Sequence, residues 1–246
     1  MRAADLTFDV APDVLALGVR GAYFTLSDVR NRETDPAFDE LRDEALAATL
    51  SDLSPEKIKD DPILRGFRGL HEAVGRSNRK NVASPENLLN MLLRQGRLPR
   101  VNLLVDVYNL ISIKFRLALG AHDLARVTGN IQLRMTAGGE NFWPLGAVEP
   151  KPVEAGEYAY VDDGNDIICR LEVRQVEKTK VTLDTRECFY IVQGNALTDD
   201  SHLKAATEEL LTLTKRFCGG EERMLHAVWD IHSPSQAPSH GDPATQ

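Results

Sequence analysis

Apolar positions recur along this chain with two different periods, and the switch between them near residue 130 is the first guide to its fold. Ahead of the switch, Leu6-Thr-Phe-Asp-Val10 alternates and Gly18-Val-Arg-Gly-Ala-Tyr-Phe-Thr-Leu26 is β-rich, so residues 6–27 read as strands. Phe38, Leu41, Ala45 and Ala48 then return at helical spacing between Asp35 and about Leu50. Ser54-Pro-Glu and Asp61-Pro-Ile-Leu each start a further helix: a polar side chain caps it, and proline takes the first turn, where its missing N–H leaves no bond unmade. Ser84-Pro-Glu-Asn-Leu-Leu-Asn-Met-Leu-Leu93 reads as a helix capped by Ser84 and closed by Gly96, and residues 104–117 as another that ends before Gly120.

Beyond Asn130 the period is two. Ile131, Leu133 and Met135 alternate with Gln132, Arg134 and Thr136. Ala137-Gly-Gly turns, and Phe142-Trp-Pro-Leu145 is expected to return as the partner strand. Residues 158–161 and 167–173 form a hairpin about Asp162-Asp-Gly-Asn165, residues 189–192 add a strand, and residues 203–217 make a helix stopped by Gly219-Gly220. The predicted fold is α+β, a mixed or antiparallel sheet with flanking helices, with residues 1–232 as one domain and residues 233–246 as a flexible tail.

Composition narrows the class. The chain has 246 residues, 42% of them hydrophobic, enough for a substantial core. No stretch approaches the roughly 18 apolar residues of a membrane span, and the N-terminus lacks the apolar run of a signal peptide. Cys169, Cys188 and Cys218 are too few and too scattered for a disulfide framework or a zinc site, so buried, reduced thiols in a cytoplasmic protein are expected. A net charge of −8 argues against a general nucleic-acid binder, but its distribution is uneven. Between Arg65 and Arg100, eight basic residues (Arg65, Arg68, Arg76, Arg79, Lys80, Arg94, Arg97, Arg100) face only Glu72 and Glu86, which gives +6 there and leaves −14 for the remainder. Such a face suits brief contact with a phosphate backbone; a set of solvated helix faces is the alternative reading.

Familiar catalytic motifs are absent: no Gly-x-Gly-x-x-Gly, P-loop, His-Glu-x-x-His or Gly-x-Ser-x-Gly. His226, Trp229 and His232 have no carboxylate or cysteine to complete a ligand set, so surface histidines, no metal and no cofactor are expected. One segment does have the composition of a site. Arg174-Gln-Val-Glu-Lys-Thr-Lys-Val-Thr-Leu-Asp-Thr185 is rich in polar groups and directly follows an apolar strand, and the ends of strands are where binding sites gather such groups. Glu177, between Arg174 and Lys178-x-Lys180, is expected to be ionised; a solvated loop with ordinary ion pairs is the alternative.

Four segments, in order, then resemble a known family. Arg100 leads into Val105-Asp-Val-Tyr-Asn109; His122-Asp-Leu-Ala125 runs into Gly129-Asn-Ile-Gln-Leu-Arg134; Gly139-Glu140 follows; and Glu177-Lys-Thr-Lys-Val181 precedes Thr185. They resemble the arginine-led Val-Asp-x-Thr-Asn, Phe-Asp-Leu-Asp with Gly-x-Ile-x-x-Arg, Gly-Glu, and Glu-x-Ser-x-Val-x-x-x-Thr segments of the B3/B4 domain, the editing domain of the phenylalanyl-tRNA synthetase beta subunit. The resemblance is best over residues 84–220 and weaker in the N-terminal third.

This resemblance implies a B3/B4-like fold and a pocket that receives the aminoacyl acceptor end of tRNA and cleaves a wrong amino acid from it. Glu177, with Asn109 and Lys180, would bind the amino acid. The family's histidine falls on Gly120, and His122, two residues on and on the same side of an extended chain, is the candidate substitute. Arg174 and Thr179 are the other candidates at the reacting ester. Arg76, Arg79, Lys80, Arg94, Arg97 and Arg100 would hold the acceptor stem. None of the synthetase's catalytic core or anticodon module is found here, so aminoacylation is not expected. Three functions stay open: hydrolysis of misacylated tRNA in trans, a non-catalytic tRNA- or aminoacyl-binding module, and action on a free amino-acid-like small molecule.

Overall fold

A computed structural model describes residues 2–230; the tail from Ser233 and His232 lie outside the described residues. Two sheets form. In the first, β1 (Phe8–Val10), β4 (Ile131–Met135), β5 (Tyr158–Asp162), β6 (Ile167–Arg170) and β7 (Arg174–Gln175) lie in that order, with β1 parallel to β4 and the others antiparallel. In the second, β3 (Ala118–Asp123), β8 (Cys188–Gly194), β2 (Arg20–Ser27) and β9 (Glu221–Ala227) run antiparallel throughout.

The second sheet is a middle layer, and the alternation of its strands shows why. Ala22, Phe24 and Leu26 of β2, Cys188, Tyr190 and Val192 of β8, and Leu119 and Ala121 of β3 join one core, against helices α2 (Pro36–Asp52), α5 (Ser84–Gln95), α6 (Leu103–Phe115) and α7 (Asp200–Cys218). The intervening Tyr23, Phe189, Ile191 and Ala118 join a second core, against Leu133, Tyr160 and Cys169 of the first sheet. Strands covered on both faces carry near-continuous apolar runs, and all seven residues of β8 are buried. The fold is thus mixed α+β, with helices flanking one sheet and a second sheet on its far side. No helix among the described residues is long and apolar enough to cross a membrane.

Local chemistry explains most helix starts. Asp35, Ser54 and Asp61 cap α2, α3 (Pro55–Asp60) and α4 (Pro62–Ala73) through their side chains, each followed by proline. Ser84, expected as the cap of α5, is instead its first residue after Ala83, with its N–H donated to the Glu172 carbonyl. Gly96 closes α5 with a left-handed φ of 68°.

Three other expectations are corrected. Residues 142–145 do not return on β4, whose antiparallel partner is β5; the segment makes only single bridges, Asn141 to Asp166 and Pro144 to Val176. The strand read over residues 167–173 stops at Arg170, because Leu171 takes a left-handed φ of 51° and turns the chain back into β7. A short helix α1 (Pro12–Ala16) interrupts the N-terminal strands, and β9 was not anticipated.

Candidate functional site

The free edges of the two sheets, β3 and β7, meet beneath the first turn of α5 and the middle of α6, and a cavity of about 290 Å³ opens between them. Its walls are Gly120 and His122 of β3, Ile191 and Gln193 of β8, Tyr160 of β5, Cys169 of β6, Tyr108 and Asn109 of α6, and residues 172–175 of the β6–β7 turn. That volume lies just under the ~300–1,000 Å³ of small-molecule sites.

The inner end of the cavity is a cluster of hydrogen bonds and one close ion-pair contact. The Tyr160 hydroxyl donates to Gln193 Oε1 at 2.6 Å, and Gln193 Nε2 donates to Glu172 Oε2 at 3.1 Å. The Tyr158 hydroxyl donates to the same carboxylate oxygen at 2.5 Å, and His71 Nε2 lies 2.5 Å from Glu172 Oε1. His71 Nδ1 faces Asn78 Oδ1 at 3.2 Å. Both nitrogens of His71 therefore meet acceptors, the arrangement an imidazolium satisfies. Burial opposes that charge, but the hydrogen bond and charge of Glu172, with Asn78, outweigh it and hold His71 above the ordinary histidine value. Burial first, then Glu172, pushes the Tyr158 phenol far up, so it stays a donor. Burial also raises the Cys169 thiol, which donates to the Leu171 carbonyl and is no nucleophile.

His122 stands apart from this cluster. It is 1% exposed; its Nδ1 lies 2.9 Å from Thr179 Oγ1, and its Nε2 has no hydrogen-bond partner among the described residues. Burial pushes its pKa down to about 3, so the ring is neutral at pH 7. A buried polar atom without a protein partner costs about 1–3 kcal/mol, and here it belongs to a residue that lines a cavity.

The structure divides the sequence-predicted residues. His122, Asn109 and Arg174 line the cavity, and Thr179 stands directly behind His122. Glu177 and Lys180 do not line it. Val176 is buried and bridged to Pro144, the Glu177 N–H donates to the Trp143 carbonyl, and the Glu177 side chain, ion-paired with Lys180, is 41% exposed. The rest of that segment laces the end of β3: the Thr179 carbonyl accepts from Asp123 N, and the Thr185 hydroxyl donates to Asp123 Oδ2 at 2.7 Å.

Among the basic residues, Arg79, Lys80, Arg94 and Arg97 are exposed. Arg76 is held by Glu154 and by buried Glu157, and Arg100 by Asp39 and by buried Asp106. Arg100 and Asp106 therefore fasten α6 to α2, a structural use of the first family-like segment. Sequence reasoning missed Glu172, Gln175, Tyr160 and Gln193; the one available signal was a glutamate inside the apolar run Ile167–Val173. Among the described residues no group of three His, Cys, Asp or Glu side chains stands together to hold a metal.

A family model described as the B3/4 domain matches residues 70–219. Among solved structures, an N-terminal fragment of the phenylalanyl-tRNA synthetase beta subunit from Pyrococcus horikoshii is similar at 14% identity and a TM-score of 0.48. The match covers 91% of this chain and 52% of that one, so this chain spans about half the length of that structure. No curated protein matches.

Proposed function

We propose that this chain, which belongs to the B3/4 domain family, receives the aminoacyl end of a tRNA in the cavity between its sheets and hydrolyses misacylated tRNA in trans. The observation that carries this reading is His122, a buried neutral imidazole that lines the cavity and whose Nε2 has no hydrogen-bond partner among the described residues. With Thr179 accepting the Nδ1 proton, Nε2 is an acceptor that orients a water against the ester carbonyl. Water oxygen bonds to the carbonyl carbon, the bond from that carbon to the ribose oxygen breaks, and the water's proton ends on the ribose hydroxyl. Arg174, exposed at the lining, lies where a phosphate or acyl oxygen approaches.

Arg79 and Lys80 sit in the segment before α5, whose first turn lines the cavity, and Arg94 and Arg97 lie at its far end, some 15 Å away at ~1.5 Å per residue. That spacing suits backbone phosphates leading to the acceptor end. Binding should weaken steeply with salt, and Arg94→Ala with Arg97→Ala should lower the salt slope by about one for each phosphate contact removed. A filter-binding titration across salt concentrations checks it; an unchanged slope removes these residues from the interface.

A second reading, a non-catalytic aminoacyl-binding module, is favoured by the low basicity of His122. Turnover separates the two. A deacylation assay uses tRNA charged with a panel of amino acids, beginning with tyrosyl-tRNA of the phenylalanine type. Release that discriminates among amino acids supports hydrolysis. Salt-dependent binding without release supports the module, and neither result withdraws both readings.

A further inference from the structure

Gly120 and Gln175 both line the cavity and come close to one another there. A Cβ on Gly120 would stand 2.5 Å from Gln175 Nε2, and the only other heavy atom within 4 Å is the same amide's carbon, at 3.7 Å. Gly120 lies inside β3 without a positive φ, so the backbone does not call for glycine there. What calls for it is the amide: a glycine within a strand marks a place where another group comes close. The amide of Gln175 occupies the space that a side chain at position 120 would fill.

The backbone that carries that amide is held from behind. The Leu145 N–H donates to the Gln175 carbonyl at 2.9 Å, and the next residue, Val176, bridges Pro144. The Tyr108 phenol, pushed up by its burial, lies beside the Gln175 side chain, which opposes that shift. A primary amide has two N–H groups. With Tyr108 as one neighbour, the amide keeps a donor to offer whatever fills the cavity.

The spacing to His122 gives this pair its chemistry. Positions 120 and 122 face the same side of β3, about 6–7 Å apart for residues i and i+2. A carbonyl with its attacking water fits between groups so separated, about 3 Å from each. We infer that Gln175 is a ligand-contacting group: its amide, lodged in the space left open by Gly120, donates to the acyl oxygen of the aminoacyl ester while His122 holds the water. This rests on the reading that the cavity takes an aminoacyl end, and it supplies a donor at the carbonyl besides Arg174.

The experiment uses the full chain and a probe it cannot hydrolyse, an adenosine bearing its amino acid through a 3′-amide. Binding is measured by calorimetry for wild type, Gln175→Ala, Gly120→Ala and the double variant, with the deacylation rate of charged tRNA alongside. Gln175→Ala is expected to weaken binding about tenfold and to lower kcat about a hundredfold, the effect of removing one oxyanion donor. Its thermal midpoint should not move. Gly120→Ala, which needs only the flexible amide to swing aside, should reproduce these losses, and the double variant should be no worse than either single one. The Gln175 side-chain amide resonances should shift as the probe is added.

Wild-type binding with Gln175→Ala binding equally well, or additive losses in the double variant, overturns the role of Gln175 and leaves the wider reading standing. A wild-type protein that binds no probe overturns both. Where Gly120→Ala fails to fold, the Gln175→Ala comparison and the resonance shifts still decide.

Discussion

Replacing Glu172 by alanine should cost about 3–5 kcal/mol of folding stability, the typical penalty for removing one partner of a buried ion pair. The carboxylate binds His71, Tyr158 and Gln193 together, and all four side chains are buried. Its loss strands a buried imidazolium, phenol and amide without their acceptor. Urea denaturation near pH 6 checks the size; a loss under about 1 kcal/mol would mean that water or a shifted side chain replaces the carboxylate.

The pH dependence of that stability identifies its source. His71 is held above its unfolded value, so its contribution is complete below about pH 6.5 and fades as pH rises through the folded value. In Glu172→Gln, burial acts on His71 without the opposing charge. Its folded value then falls below the unfolded one, and stability is lost on the acid side instead. The slopes of stability against pH for the two proteins should therefore differ around neutrality by up to about 1.4 kcal/mol per unit.

The second large effect concerns catalysis. Removing His122 as alanine should lower deacylation by about 10²–10⁴-fold, the range of a positioned acid–base group, while tRNA binding through the exposed arginines persists. With a pKa of about 3, His122 is neutral across pH 5–8, so its titration adds no inflection to the rate there. An inflection near 6.5 that disappears in His122→Asn would assign the ring a different state from the one its burial imposes. Stability provides a second measure: because its folded value lies below 6.5, wild type loses stability as pH falls from about 6.5 towards 3, and His122→Asn should lose less over that range. A rate unchanged in His122→Ala removes the ring from the chemistry.

Much of this molecule was legible from local rules, and what was not depends on distant partners. Asp35, Ser54 and Asp61 announce helices because a cap and a following proline act within a few residues. Which strand pairs with which is decided across the chain. Phe142-Trp-Pro-Leu145 has the composition of a return strand, yet β4 passes it over for β5. β9 stays hidden because Glu221-Glu-Arg-Met224 is exposed, so its edge position rests on pairing with β2 and not on an apolar face.

The site divides along the same line. His122 was reached from the family resemblance together with the two-residue period of an extended chain, Asn109 from the resemblance and Arg174 from its polar segment, and all three line the cavity. Glu172 was not, because it looked like one polar residue in an apolar strand. Only the left-handed backbone of Leu171 shows that the strand has already turned and that the carboxylate points inward. Glu177 was chosen on family resemblance, and the burial of Val176 beside it turns its side chain to the surface.

The two walls of the cavity also differ in how they breathe. β8 lies between β2 and β3 with all seven residues buried, so the amides of Phe189–Gln193 should exchange with solvent only through openings close to global unfolding. β7 is two residues long at the rim of its sheet, and its amides need only a local opening. The cavity thus sets a stiff back wall, bearing Ile191 and Gln193, against a front wall that opens without unfolding the rest. A ligand held on both sides would slow exchange at Arg174 and Gln175 and leave β8 as slow as before, so front-wall exchange reports occupancy even for a ligand that is never turned over.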